Sequence, residues 1–232
     1  MRRTGFLIAV VSCVLSVAGC GVNKSIRVAD GETVDGDRTT VNGSVHIGSG
    51  CEVRGDCRTV NGKVTVGPGS KVGGLHTVNG SVQIGREVTV SGDLGTVNGS
   101  VELEADTTVN GEVESVNGAI SCARGTVSGD VSTVNGEISL EGTQVGGRVS
   151  TANGSIRLTA QARVAGDVVV KGKQRFGAAR RPLEISITDG SVVEGDIIVR
   201  DRKRKVKVII ENGGRVVGRI ENAELVDRNQ GT

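Results

Sequence analysis

The dipeptide Asn-Gly begins at Asn42, Asn61, Asn79, Asn98, Asn117, Asn135 and Asn153, in steps of 19, 18, 19, 19, 18 and 18 residues. A period of this length restricts the chain to repeat architectures, in which each unit buries its apolar face only against its neighbours. The flanking text is nearly constant: Thr40-Val41-Asn42-Gly43-Ser44-Val45 returns as Thr77-Val78-Asn79-Gly80-Ser81-Val82 and as Thr96-Val97-Asn98-Gly99-Ser100-Val101. A second punctuation, Val-x-Gly-Asp, falls between these at Val34, Val53, Val90, Val127 and Val164. Between punctuations, apolar and polar residues alternate, as in Val45-His46-Ile47 and Val101-Glu102-Leu103. That is the period of a short strand with one buried face.

Asn-Gly is also the strongest short hairpin signal, but a meander of hairpins gives no reason for seven turns to keep the same phase. Rungs stacked in parallel do, because each repeat position then forms a column along the axis. The fold class expected is all-β: a single-stranded parallel β-helix of about 18–19 residues per coil. It is expected to be right-handed, since left-handed helices usually follow a hexapeptide rule that is absent here. The columns can be named in advance. The seven asparagines form a buried ladder at one corner, so that replacing Asn98 by Ala costs ~1–3 kcal/mol. Thr40, Thr59, Thr77, Thr96, Ser115, Thr133 and Thr151 form a hydroxyl ladder beside it. Leu94, Val113, Val131 and Val149 share an inward column whose first place is held by Arg38, read as a polar cap on the open end of the core. A core of this kind needs no large rings, and Phe6 and Phe176 are the only aromatic residues.

The cysteines divide by the same frame. Cys57 falls in the column of Leu94, and Cys122 in that of Ile47 and Leu103, so both replace core aliphatics. They lie more than three coils apart, too far for a disulfide. A Cys51–Cys57 bridge remains open. Neither His46 nor His76 has a second ligand at metal-binding spacing, and no metal or cofactor is expected. The aligned acids Asp37, Asp56, Asp93, Glu112, Asp130 and Asp167 invite comparison with glycoside-cleaving carboxylate pairs and with calcium ladders. Gly-Asp is ordinary turn chemistry, however, and Arg148 interrupts the column. The chain reads as a non-enzyme.

The ends differ from the repeat. Arg2 and Arg3 precede an apolar run from Phe6 to Val17, too short for a membrane span and long enough for an export signal. The run closes in Val17-Ala18-Gly19-Cys20, which resembles the lipobox of bacterial lipoproteins. That resemblance implies cleavage after Gly19, acylation of Cys20 and, with Gly21 rather than Asp following, an outer-membrane anchor facing the periplasm. Residues 1–19 are thus expected to be a signal peptide, 20–33 a lipidated N-terminus and linker, 34–167 the regular coils, and 168–232 irregular coils of the same solenoid, with a separate small β domain as the alternative. The stretch from Lys171 to Pro182 reads as a loop or insertion. Residues 21–167 carry 12 basic and 17 acidic groups, and residues 168–232 carry 14 and 9. The densest basic run is Arg200, Arg202, Lys203, Arg204, Lys205 and Lys207. It is either a solvated turn or a patch for an anionic partner such as lipid headgroups or a cell-wall polymer. Nucleic acid is not expected, because no aromatics interleave to stack bases.

The "TVNGSV.I" and "V.GD" texts together resemble the adhesin-like β-strand-repeat proteins of bacteria and, more distantly, the bactofilins, which are polymer-forming β-helix proteins. The resemblance spans roughly residues 34–220. It implies a structural scaffold or adhesin-like surface. Bactofilin kinship would add self-association, although bactofilins are cytoplasmic and this chain carries an export signal. The competing classes are a polysaccharide-active β-helix enzyme, which needs a loop-walled groove and usually aromatic platforms, and a hexapeptide acyltransferase, whose strict six-residue unit and catalytic His are not matched.

Overall fold

The computed structural model describes residues 23–172 and 182–229. The signal segment, Cys20 and residues 173–181 of the expected insertion lie outside the described residues. Among those described, the regular structure is all strand, with 31 short segments and no helix. No described helix is long and apolar enough to cross a membrane.

Each rung contributes one strand to each of three faces. The first rung is β1 (Ile26–Val28), β2 (Thr33–Asp35) and β3 (Arg38–Thr40). Rung upon rung, these grow into parallel sheets of eleven, ten and ten strands. The result is a β-solenoid of about 10 turns, about 19 residues each. Within β1, Ile26 and Val28 pair with Val45 and Ile47, so the stacking starts inside the segment expected to be a linker. The cause is local: Ile26-Arg27-Val28 has the same in-out-in alternation as Val45-His46-Ile47, eight residues before the first Val-x-Gly-Asp.

Register is one-to-one in every sheet, so like residues stack on like. On the first face Val64, Val82, Val101 and Ile120 lie directly over one another. All four are essentially sealed from solvent. Burying an aliphatic side chain of this size contributes ~1.5–3 kcal/mol relative to leaving it exposed. The 18-residue steps do not disturb this register, because the missing residue is taken from a corner. Val53 and Cys57 are four apart, whereas Val72 and Leu75 are three apart, yet Cys57 still pairs with Leu75. Likewise Leu103 and Val109 are six apart, Cys122 and Val127 five, with both pairs in register.

The C-terminal quarter continues the same three sheets. Ile185 pairs with Ile156 across a step of 29 residues, and the register is kept. The next steps, Ile185 to Val208 and Val208 to Leu225, remain parallel and in register. The two ends of the core are finished differently. At the first, Arg38 sits below Cys57 and donates from its guanidinium to the carbonyls of Asp35, Gly36 and Asp37. At the last rung, Leu225 stands over Val208 but is 51% exposed.

Candidate functional site

The polar columns are the first place to look for chemistry, because they repeat side chains that bind or react. The asparagine ladder is continuous. Each side-chain amide donates to the amide oxygen one rung earlier, from Asn153 through Asn135, Asn117, Asn98, Asn79, Asn61 and Asn42, at 2.7–2.9 Å. It ends on Asn23, a member the Asn-Gly text does not reveal because Lys24 follows it. The ladder is not buried: all seven Asn-Gly asparagines are exposed at the corner. The expectation of a buried ladder is corrected for a geometric reason. The inward position is taken by the hydroxyl two residues earlier, and the asparagine lies past the bend.

The hydroxyl ladder is the buried one. Thr40 Oγ1 donates to the Lys24 carbonyl, and Thr59, Thr77, Thr96, Ser115 and Thr133 donate to the carbonyls of Gly43, Gly62, Gly80, Gly99 and Gly118, at 2.7–3.1 Å. From Thr59 onward each bond ties a rung to the glycine of the rung before it. Those glycines are set by contact rather than by backbone sign. A Cβ on Gly118 would lie 1.8 Å from the Gly99 carbonyl oxygen, and φ there is not in the left-handed region.

A second buried column went unread in the sequence, although its constant offset of eight or nine residues after the asparagine would have exposed it. Ser70 Oγ accepts from the Cys51 N–H and donates to the Gly48 carbonyl, while Thr107 and Thr143 donate to Gly85 and Cys122 carbonyls. Cys51 belongs to this column: its thiol donates to the Ala29 carbonyl at 3.0 Å, as a serine would. Cys57 instead stacks between Arg38 and Leu75. Cys51, Cys57 and Cys122 are all free and buried, so the open Cys51–Cys57 bridge does not form. Burial pushes the Cys57 thiol up to about 12 and raises that of Cys122 as well, which keeps both unreactive.

The aligned acids bind the backbone of the next rung. Asp37, Asp56, Asp93, Asp130 and Asp167 each accept, through Oδ1, the N–H of Asp56, Gly74, Glu112, Arg148 and Asp196 respectively, at 2.7–3.0 Å. Their spacing is therefore a corner device that recurs along the rod. Among the described residues, no group of three His, Cys, Asp or Glu side chains is placed to hold a metal. His76 is nearly buried beside Arg58, Asp56 and Asp93, and burial, seconded by the Arg58 charge, lowers its pKa. His46 Nδ1 contacts Thr65 Oγ1 at 2.6 Å on the outer surface.

Arg200, Arg202, Lys203, Arg204 and Lys205 of the basic run occupy the turn between Ile197–Val199 and Val206–Ile210, and Lys207 lies in the second of these strands. The run's six cations are not equivalent. Arg204 turns back to the repeat: its Nη1 donates to the Ala152 carbonyl, to Asn153 Oδ1 at 3.1 Å, and lies 3.5 Å from the Gly172 carbonyl. It thereby closes the last amide of the asparagine ladder, and the accompanying desolvation lowers its pKa. Lys207 lies 3.9 Å from Glu224. Arg200, Arg202, Lys203 and Lys205 are exposed. Of the six cations four are thus left exposed, and Arg204 fastens the turn that carries them. Comparison of the chain with family models, with curated proteins and with solved structures gave no match.

Proposed function

We propose that this protein is a non-catalytic envelope lipoprotein, a rigid rod anchored through acylated Cys20 at the periplasmic face of the outer membrane, serving as a scaffold or adhesin-like surface. The observation that carries this reading is where the polar side chains go. The asparagine, threonine and aspartate columns, which in an enzyme would face a substrate, are committed to bonds between rungs. The repeat's polar side chains hold one rung to the next. The lipobox-like Val17-Ala18-Gly19-Cys20 supplies the anchor in this reading.

The test is fractionation of cells expressing the wild-type chain or Cys20→Ser after labelling with an alkyne fatty acid. The wild type is expected in the membrane fraction and labelled, and the variant unlabelled and released. An unlabelled wild type, or a variant that stays membrane-bound, overturns the anchor.

One observation favours a second reading, a polymer-forming scaffold. Among the described residues, the final strands, Arg215–Val216, Ile220–Glu221 and Glu224–Asp227, pair on one side only, and Leu225 is left half in water. An open edge is a template for another chain. Filaments of the delipidated protein seen by electron microscopy would support this reading, and monodisperse single rods would exclude it.

A further inference from the structure

The geometry points to the turn at residues 200–205 as a docking site for a polyanionic envelope polymer, one that carries carboxylate or phosphate groups at short intervals. The argument begins with how other cations on this rod are treated. Arg54, Arg58, Arg86, Arg148, Arg157 and Arg163 all lie within ion-pair distance of a carboxylate. The exposed cations that do not, such as Lys24, Arg27, Lys63 and Lys71 on the first rungs, Arg124 in the middle and Arg215 and Arg219 on the last, are spread along the rod. Arg200, Arg202, Lys203 and Lys205 are concentrated within six residues, with no ion pair to any described residue. Asp201, the one acid in the turn, directs its carbonyl to the Arg204 N–H and its Oδ1 to the Lys203 N–H, both at 3.0 Å. The turn is therefore closed on itself and fastened to the ladder by Arg204, across 51 residues of chain. Four cations on a fastened turn lose less conformational freedom on binding than four on a floppy one.

The chemistry of the partner follows from what surrounds these cations. Among the described residues there is no Phe, Tyr or Trp, and what the turn itself presents to a partner is charge. The choice of a polymer over lipid headgroups follows from position, and it rests on the anchor proposed above. The asparagine corner reaches this turn nine rungs after Asn23, roughly 40 Å along the axis at the strand spacing of a sheet. Screening at physiological salt acts over about 8 Å. On an upright rod the turn is held well clear of the bilayer that holds the N-terminus.

The test uses the mature chain carrying Cys20→Ser, whose melting temperature is compared across variants to confirm folding. Binding is titrated to polygalacturonate, to long-chain polyphosphate and to vesicles of phosphatidylcholine with phosphatidylglycerol, at physiological ionic strength. Changing Arg200, Arg202, Lys203 and Lys205 to Gln together is expected to weaken polymer binding by about fivefold per cation removed. A control with Lys24, Arg27, Lys63 and Lys71 changed to Gln is expected to bind nearly as the parent does. The proposal is overturned if the two variants lose affinity equally, if neither loses any, or if the parent binds neither polymer. It is also overturned in favour of headgroups if the parent prefers vesicles and the turn variant alone loses them. Because this chain carries no lipid, the outcome is independent of whether Cys20 is acylated in cells.

Discussion

At the scale of single residues, one side-chain type does different work in different columns, and substitution should separate them. Cys51 behaves as a hydroxyl analogue bonded to the Ala29 carbonyl, whereas Cys57 fills an aliphatic column. Cys51→Ser is therefore expected to melt within about 0.5 kcal/mol of wild type, whereas Cys57→Ser buries a hydroxyl among aliphatics and is expected to cost about 1–3 kcal/mol. Thermal unfolding of the two variants side by side checks this, and equal costs would place both thiols in one kind of site. His76 makes a pH prediction. Its pKa in the folded rod lies below the ordinary 6.5, so the unfolded chain takes up the proton first as pH falls. Stability is then complete above 6.5 and is lost as pH drops from there through the lower folded value. Asp56 and Asp93 pull the other way and Arg58 with the shift, so all three belong to the balance. Comparing melting temperatures at about pH 7 and pH 5, His76→Gln is expected to lose less than wild type. An identical loss would mean that the imidazole is solvated.

At the scale of elements, the corner explains both what could be read from the text and what could not. Strand positions were legible because alternation and period were both present, and Val45, Val64, Val82 and Val101 stack as the text implies. The corner was misread in depth, because period fixes which residues share a column and leaves open whether that column faces in or out. Asn-Gly signals a turn by its backbone preference, whereas here its glycine is required by the carbonyl of the preceding rung. Arg204 was read as one more surface cation, because nothing local marks a side chain that bonds 51 residues away. The expected energetics shift accordingly. Thr96→Val strands a carbonyl at a buried position and should cost about 1–2 kcal/mol, at least as much as Asn98→Ala, whose two broken amide bonds are replaced by water. Gly118→Ala forces adjacent rungs apart and should exceed both, at about 2–3 kcal/mol. Chemical denaturation of the three variants ranks them, and a glycine variant as stable as wild type would refute the close approach.

At the scale of the whole molecule, the rod is a nearly one-dimensional object, and its stability is close to a sum of rung terms and interfaces between neighbours. Such a structure is weakest where a rung has one neighbour only. In the first rung the Arg38 guanidinium is held at its own corner by three carbonyls, whereas in the last described rung the inward-facing Leu225 is 51% exposed. Fraying should therefore start at the C-terminal end. Arg204 sits at an internal junction as well, since it ties the turn after Val199 back to the last regular rung at Ala152 and Asn153. Hydrogen exchange read residue by residue is expected to show protection falling from the middle rungs, around Val101 and Ile120, towards Glu224–Asp227. Arg204→Met should extend that loss inwards from the last rungs while leaving exchange at Val45–Ile47 unchanged. Coupling between rungs decays with distance in a nearest-neighbour rod, so a loss confined to the C-terminal side is what this architecture demands. If Arg204→Met instead lowered protection evenly from Ile26 to Asp227, the molecule would be a single cooperative unit, and the separate roles given to its two ends would have to be abandoned.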